Sequence, residues 1–244
     1  TARAQDGFVK TQGEAYVKLA FTNFASDDFY NTNGDQVGQS EVFTQRNLVL
    51  YGEYGIIENL TAIVNFPVLR TNAFANTNTV YGIGDLWVGL KYGVKLGGFH
   101  LAASINPEFP TGNSSASVSF LNEQGQELSL VLPTGDGEFN VWSWLGVSRG
   151  VSLASWASGY ASLGAGVNLR TKGLSHQIGF RAEVGSRLFE NLFVQVQSRA
   201  QIVPSDDLAF GGFILGEGTD FITMGGLVGI TLPSLPLTIE AEWM

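Results

Sequence analysis

The sequence predicts an all-β protein, a transmembrane antiparallel up-and-down β-barrel, and three observations carry that prediction. Segment after segment alternates apolar and polar residues with a period of two, over lengths of about 10 to 13 residues that suit a tilted membrane strand better than the usual globular one. Charged residues make up only 14% of the 244-residue chain, too few for an ordinary soluble surface, while hydrophobic residues reach 44%. Short turns and long polar loops take turns along the chain, which clips one end of the molecule and elaborates the other.

The strands follow in order. GEAYVKLAFTNF, residues 13 to 24, sets Ala15, Val17, Leu19 and Phe21 against Glu14, Tyr16, Lys18 and Thr22. RNLVLYGEYGII and LTAIVNFPVL flank the tight Ile57-Glu58-Asn59 turn. GDLWVGLKYGVKL and FHLAASI flank Gly97-Gly98, with Leu86, Val88, Leu90, Tyr92 and Val94 on one face and Asp85, Trp87, Gly89 and Lys91 on the other. FNVWSWLGVS, SGYASLGAGVNL, HQIGFRAEVGSRL, LFVQVQSRAQI, DFITMGGLVGITL and LTIEAEWM complete the set. Short turns fall near Glu58-Asn59, Gly97-Gly98, Arg149-Gly150, Glu190-Asn191 and Pro233-Ser234. Longer polar stretches fall near residues 25 to 40, 71 to 83, 111 to 137 and 204 to 218.

About 11 strands are readable, and a bacterial single-chain barrel has an even number, so about 12 are expected in the complete form: either a final strand follows LTIEAEWM, the reading its alternating end favours, or one strand is merged or missed among the eleven. Residues 1–12 read as a processing remnant and periplasmic lead-in, because Ala2-Arg3-Ala4 matches the small-residue end of an export signal. Residues 13–244 read as one barrel.

The two faces of each strand separate lipid from lumen. In HQIGFRAEVGSRL, Ile178, Phe180, Ala182, Val184, Ser186 and Leu188 carry no charge, whereas the other face holds Gln177, Arg181, Glu183 and Arg187. Such a charged row suits neither a dry core nor hydrocarbon, so it is assigned to a wet or partly plugged lumen. The lumen-lining and substrate-path candidates are Tyr16, Lys18, Tyr51, Glu53, Asp85, Trp87, Lys91, His100, Trp142, Trp144, Arg181, Glu183 and Arg199, with Trp156 a further inward aromatic. Mixed signs on this face imply ion-pair ladders between neighbouring strands. Phe24, Tyr54, Phe66, Tyr92, Phe99, Phe189 and Trp243 are placed to form interfacial girdles.

Several chemistries are disfavoured. A net charge of −9 without a basic stripe argues against nucleic acid, and the absence of Cys with only two His leaves no disulfide or metal-site pattern. No apolar run is long enough for a spanning helix. Gly146-Val147-Ser148-Arg149-Gly150 spells the nucleophile-elbow pattern, but a strand and a tight turn replace the strand-to-helix elbow that chemistry needs. The expectation is a non-enzyme with no catalytic residues, no metal and no cofactor.

Phe109-Pro110-Thr111-Gly112 and Leu132-Pro133-Thr134-Gly135 bound one long excursion with the same terminator. Within it, Phe120, Leu128 and Leu130 are the entrance-loop candidates, placed to plug or shape the mouth.

Gly84-Asp85-Leu86 leading into Gly89-Leu90-Lys91-Tyr92, the two Pro-Thr-Gly triplets and the Glu58-Asn59-Leu60-Thr61 and Glu190-Asn191-Leu192 turns together resemble the outer-membrane transporter family of phenol-degradation meta-pathway proteins. The resemblance implies a 12-stranded barrel in the bacterial outer membrane that takes up small hydrophobic or aromatic molecules passively. Its partners would be outer-membrane lipid and those molecules. The alternative expectation is a barrel with a closed lumen that serves as a structural or docking component among envelope proteins.

Overall fold

The computed structural model describes residues 5–30, 35–121, 125–173, 175–204, 220–233 and 237–244. Ala2-Arg3-Ala4, the tip of the first long loop, Ser234 and nearly all of the loop at 204 to 218 lie outside the described residues.

The described chain is all-β and antiparallel. Its strands are β1 (Ala15–Tyr30), β2 (Gln36–Ile57), β3 (Leu60–Phe74), β4 (Val80–Gly82), β5 (Leu86–Leu96), β6 (Phe99–Phe109), β7 (Ser117–Leu121), β8 (Glu127–Val131), β9 (Asn140–Ala154), β10 (Ala157–Leu169), β11 (Gln177–Leu188), β12 (Leu192–Ile202), β13 (Phe221–Thr231) and β14 (Thr238–Trp243). Eleven of them form one path, β1-β2-β3-β5-β6-β9-β10-β11-β12-β13-β14, in which each strand pairs with the next long one; β4 adds to β3, and β7 and β8 form a separate hairpin. These eleven match the eleven strands read from the alternation. The hairpin of β1 and β2 runs further than the apolar pattern suggested, because pairing continues beyond a register shift at Ser26/Asp28 to Tyr30↔Gln36.

The sheet curls strongly. Lys18 Nζ on β1 lies 2.6 Å from Glu240 Oε2 on β14, so inward side chains of the first and last strands meet although no ladder joins those strands.

Polarity is reversed relative to a water-soluble sandwich. Among the described residues, buried polar and charged side chains outnumber buried hydrophobic ones, twenty to twelve, and Lys91, Gln197 and Glu138 are among the largest fully buried. The exposed side is apolar instead: Val17, Leu19, Phe21, Leu145, Val196, Ile222 and Met224 are each 66–70% exposed. Arg46 and Arg149 share this outer register; Arg46 donates to Asn23 Oδ1 and Arg149 lies over the Phe99 ring. The girdle aromatics Tyr54, Tyr92, Phe99, Phe189 and Trp243 are all exposed. Trp156 belongs with them, since it occupies the β9–β10 turn and stacks on Phe189 with centroids 5.0 Å apart, whereas an inward position was expected. Phe24 goes the other way, turning inward beside Phe43.

Candidate functional site

Residues 5–13, of which 5–12 belong to the segment expected as a periplasmic lead-in, cross the inner wall transverse to the strands. Gly13 N–H donates to Gly55 O, and Lys10 N–H to Thr61 Oγ1 at 2.9 Å. Phe8 packs on His100 with ring centroids 4.9 Å apart, Gly7 N–H donates to Ser148 Oγ at 2.8 Å, and Arg181 Nη1 donates to Gln5 Oε1 at 3.3 Å. This strap therefore spans the wall from β2 to β11.

The wall makes room for it with glycines. A Cβ on Gly93 would stand 2.6 Å from Val9 Cγ1, one on Gly146 2.6 Å from the Asp6 carbonyl, and one on Gly164 2.5 Å from Gln5 O, while one on Gly55 would strike Thr11 O. At Gly55, Gly146 and Gly164 the neighbour is the strap backbone itself, an approach only a residue without a side chain permits, whereas at Gly93 it is the Val9 side chain.

Two polar networks hold the strap and fill the space around it. In the first, Lys91 Nζ lies 3.1 Å from Asp6 Oδ1 and 3.5 Å from Glu53 Oε1, and Tyr51 OH donates to Glu53 at 2.5 Å. Tyr51 and Ile63 form a small buried cluster against which Tyr16 and Trp87 pack. In the second, Arg181 donates to Glu183 from Nε at 3.1 Å and from Nη2 at 2.8 Å, and Nη2 also reaches Gln197. Gln195 donates to Glu183, Gln197 donates to Glu242, and Arg199 lies 3.5 Å from Glu242. With Lys18–Glu240, these pairs realise the ion-pair ladders the alternation implied. A charge so buried persists only when it is paired and hydrogen-bonded, which is the condition met here.

Aromatic groups occupy two stations on the wall of β9 to β12. Toward the long-loop end, Trp142 and Trp144 stack at 5.2 Å and 20°, in space left by Gly166 and Gly179. Toward the short-turn end, Tyr160 and Phe193 lie parallel, 6.2 Å apart, with Phe8 of the strap edge-on to Tyr160. There a cavity of about 470 Å³ is lined by Asp6, Phe8, Tyr160, Glu183, Arg187 and Phe193. A larger hollow of about 860 Å³ opens instead on the outer face among Leu145, Leu163, Phe180 and Ile222.

Asp85 plays a different part from the one expected. It precedes β5 at the long-loop end, and its carboxylate accepts the N–H of Gly112 on Oδ1 and of Asp136 on Oδ2, both at 2.9 Å. Thr111 Oγ1 donates to Gly84 O at 2.7 Å, and Asn113 N–H donates to Thr134 Oγ1. Asp85 thus clamps the two Pro-Thr-Gly corners together rather than standing on the open wall. Burial pushes its carboxyl above the ordinary aspartate range, and the two N–H bonds pull against that rise.

The excursion between those corners folds back as the β7–β8 hairpin. Val118 and Leu132 join Phe43 and Val80 in a buried cluster, with Leu130 and Phe74 packed against it. Phe43 and Phe74 face inward on β2 and β3, so the hairpin covers that side of the mouth. Of the entrance-loop candidates Leu130 packs into the cluster, Phe120 is half-buried and pairs with Leu128, and Leu128 itself is exposed.

Ser148 sits in mid-strand, donating to or accepting from Ser162 Oγ at 2.6 Å, so the G-x-S-x-G segment runs through β9 and forms no elbow. The alternation assigned the wall residues but missed the strap, Tyr160, Phe193 and the clamp. Tyr160 and Phe193 carried an available signal, since they occupy the same inward register as Ser162 and Gln195. No family model matches this chain, and no curated protein matches it.

Proposed function

We propose that this protein is a passive channel of the bacterial outer membrane for small hydrophobic or aromatic molecules. The observation that carries the reading is the reversal of polarity. An outer face of exposed Val, Leu, Ile, Phe and Met side chains would be insoluble in water and at home in hydrocarbon, whereas paired charges and amides line the inside.

The interior chemistry supports an aromatic cargo. The Trp142–Trp144 stack and the Phe8–Tyr160–Phe193 group lie on the same wall, separated by the Arg181–Glu183 network, and offer ring-stacking surfaces at successive depths. Arg181, Glu183, Gln195 and Gln197 between them are already bonded to one another, so a ligand that needs few hydrogen bonds passes without breaking them. The motif resemblance to aromatic-compound transporters agrees with this cargo.

A second reading has its own support. The strap and the two networks occupy the interior, as a structural or docking barrel with a closed lumen would require. Uptake separates the two. Vesicles bearing lipopolysaccharide, which resist apolar solutes, are loaded with the purified protein and offered radiolabelled toluene. Uptake above protein-free vesicles is expected; no increase overturns the channel reading and favours the closed barrel.

A further inference from the structure

We propose that the cavity at the short-turn end binds a small aromatic carboxylate, with Arg187 taking the carboxylate and Phe8, Tyr160 and Phe193 taking the ring. The inference deepens the channel reading and rests on it, since it names the charge type of the cargo that the interior holds.

Charge accounting within the cavity leads to this ligand. Three acidic or basic side chains other than the Tyr160 phenol line it, Asp6, Glu183 and Arg187. Asp6 pairs with Lys91 at 3.1 Å, a lysine it shares with Glu53, and Glu183 accepts two N–H groups of Arg181 and one of Gln195. Arg187 is exposed at the cavity's rim and, among the described residues, has no hydrogen bond and no ion pair. The charged group of the lining left without a partner is therefore a guanidinium, whose planar fork matches a carboxylate in two parallel hydrogen bonds.

The rest of the lining selects an apolar body. Tyr160 and Phe193 present parallel rings, and Phe8 stands at 72° to Tyr160. Tyr160 OH is already donated to Gln195 Oε1 at 3.1 Å, which leaves its ring as the surface it offers. A volume of about 470 Å³ lies within the range of small-molecule sites and holds a substituted ring. Cations meet the wrong charge at Arg187, and an aliphatic carboxylate such as acetate leaves the rings uncovered. Because Phe8 and Asp6 belong to the strap, ligand and strap share a wall, and the cavity exists as a closed shape only while the strap is in place.

The test uses the full chain in detergent micelles, with 4-fluorobenzoate as probe and fluorine NMR line broadening as readout. Saturable binding is expected, weakened about tenfold or more in Arg187→Gln, as befits loss of a charge-assisted pair. Arg187→Lys should recover part of the loss, and Phe193→Ala should weaken binding while leaving its ionic-strength dependence. The neutral isostere 4-fluorobenzyl alcohol should bind wild type about as weakly as 4-fluorobenzoate binds Arg187→Gln. Arg187 has no partner to lose, so the unheated gel mobility of its variants reports an unchanged fold. Equal binding of 4-fluorobenzoate by wild type and Arg187→Gln, equal binding of the alcohol and the acid, or no binding of the acid overturns the proposal. Toluene uptake is measured on the same preparation: if it persists while the acid fails to bind, the carboxylate site alone is lost, and if it is absent the channel reading fails as well.

Discussion

The two ends of the interior are closed in different ways. At the long-loop end a hairpin is packed by apolar contact, with Leu132 fully buried among Phe43, Val80 and Val118, and is tied by a carboxylate that gathers two backbone N–H groups. At the short-turn end a single extended strap lies on a track of glycines, held by isolated hydrogen bonds and one buried ion pair. The first closure loses buried apolar area if it opens, at about 25 cal/mol per Å². The second loses hydrogen bonds that water can replace, together with the Lys91–Asp6 pair and the ring contacts of Phe8 with His100 and Tyr160. The strap is thus the element whose displacement costs least, and passage through the interior is expected to be gated there.

Locking the strap tests this with the largest effect. Val9→Cys with Gly93→Cys sets two new thiol side chains against each other, because a Cβ at Gly93 would meet the Val9 side chain, and the sequence has no cysteine of its own to mispair. Oxidised, the double variant should take up toluene no faster than protein-free vesicles; reduced, it should regain the wild-type rate. Undiminished uptake in the oxidised form would show that the strap does not obstruct the path.

Breaking the strap's one strong tie comes next. Lys91→Met removes the cation that Asp6 and Glu53 share and leaves two buried carboxylates near each other, a change that costs about 3–5 kcal/mol when one partner of a buried pair is lost. The strap should detach before the barrel unfolds, so residues 5–12 should become sensitive to protease while unheated gel mobility stays folded. Restoring resistance with Asp6→Asn and Glu53→Gln in the same chain would attribute the effect to charge.

The contrast between the ends also explains what was legible in the sequence. Period-two alternation is a local signal, and it placed all eleven long strands and sorted Lys91, Arg181, Glu183, Trp142 and Trp144 inward, because each strand's faces are fixed by its own residues. The strap carries no such pattern. Gln5 to Thr11 are polar and apolar in no regular order, and what places them is the complementary absence of side chains at Gly55, Gly93, Gly146 and Gly164, four residues on four different strands. Asp85 was misassigned for the same reason: its alternation said wall, but its position one residue before β5 let the carboxylate turn to two loop N–H groups that no period reveals. Trp156 followed the alternation into the β9–β10 turn, where the period no longer applies.

Hairpin truncations sharpen the comparison at the apolar end. Leu132→Ala should cost about 2–5 kcal/mol, as large-to-small changes in a packed cluster do, and should expose the 111–137 excursion to protease. Leu128→Ala, on the exposed side of the same hairpin, should stay within about 0.5 kcal/mol. Equal effects would mean that the hairpin covers the mouth without packing on it.

The change at Asp85 is the most selective. Asp85→Asn keeps the shape of the side chain, but an amide has one acceptor oxygen where the carboxylate has two, so either Gly112 or Asp136 is left with its N–H facing an NH₂ group. An unsatisfied buried donor costs about 1–3 kcal/mol, enough to loosen the two Pro-Thr-Gly corners without unfolding the cluster around Leu132. Proteolysis within residues 111–137 should therefore speed up severalfold, while the strap's protection and the oxidised lock's block on toluene uptake remain as in the parent. If Asp85→Asn also freed the strap, the two closures would be coupled through the wall, and the independence argued from their different chemistry would be wrong.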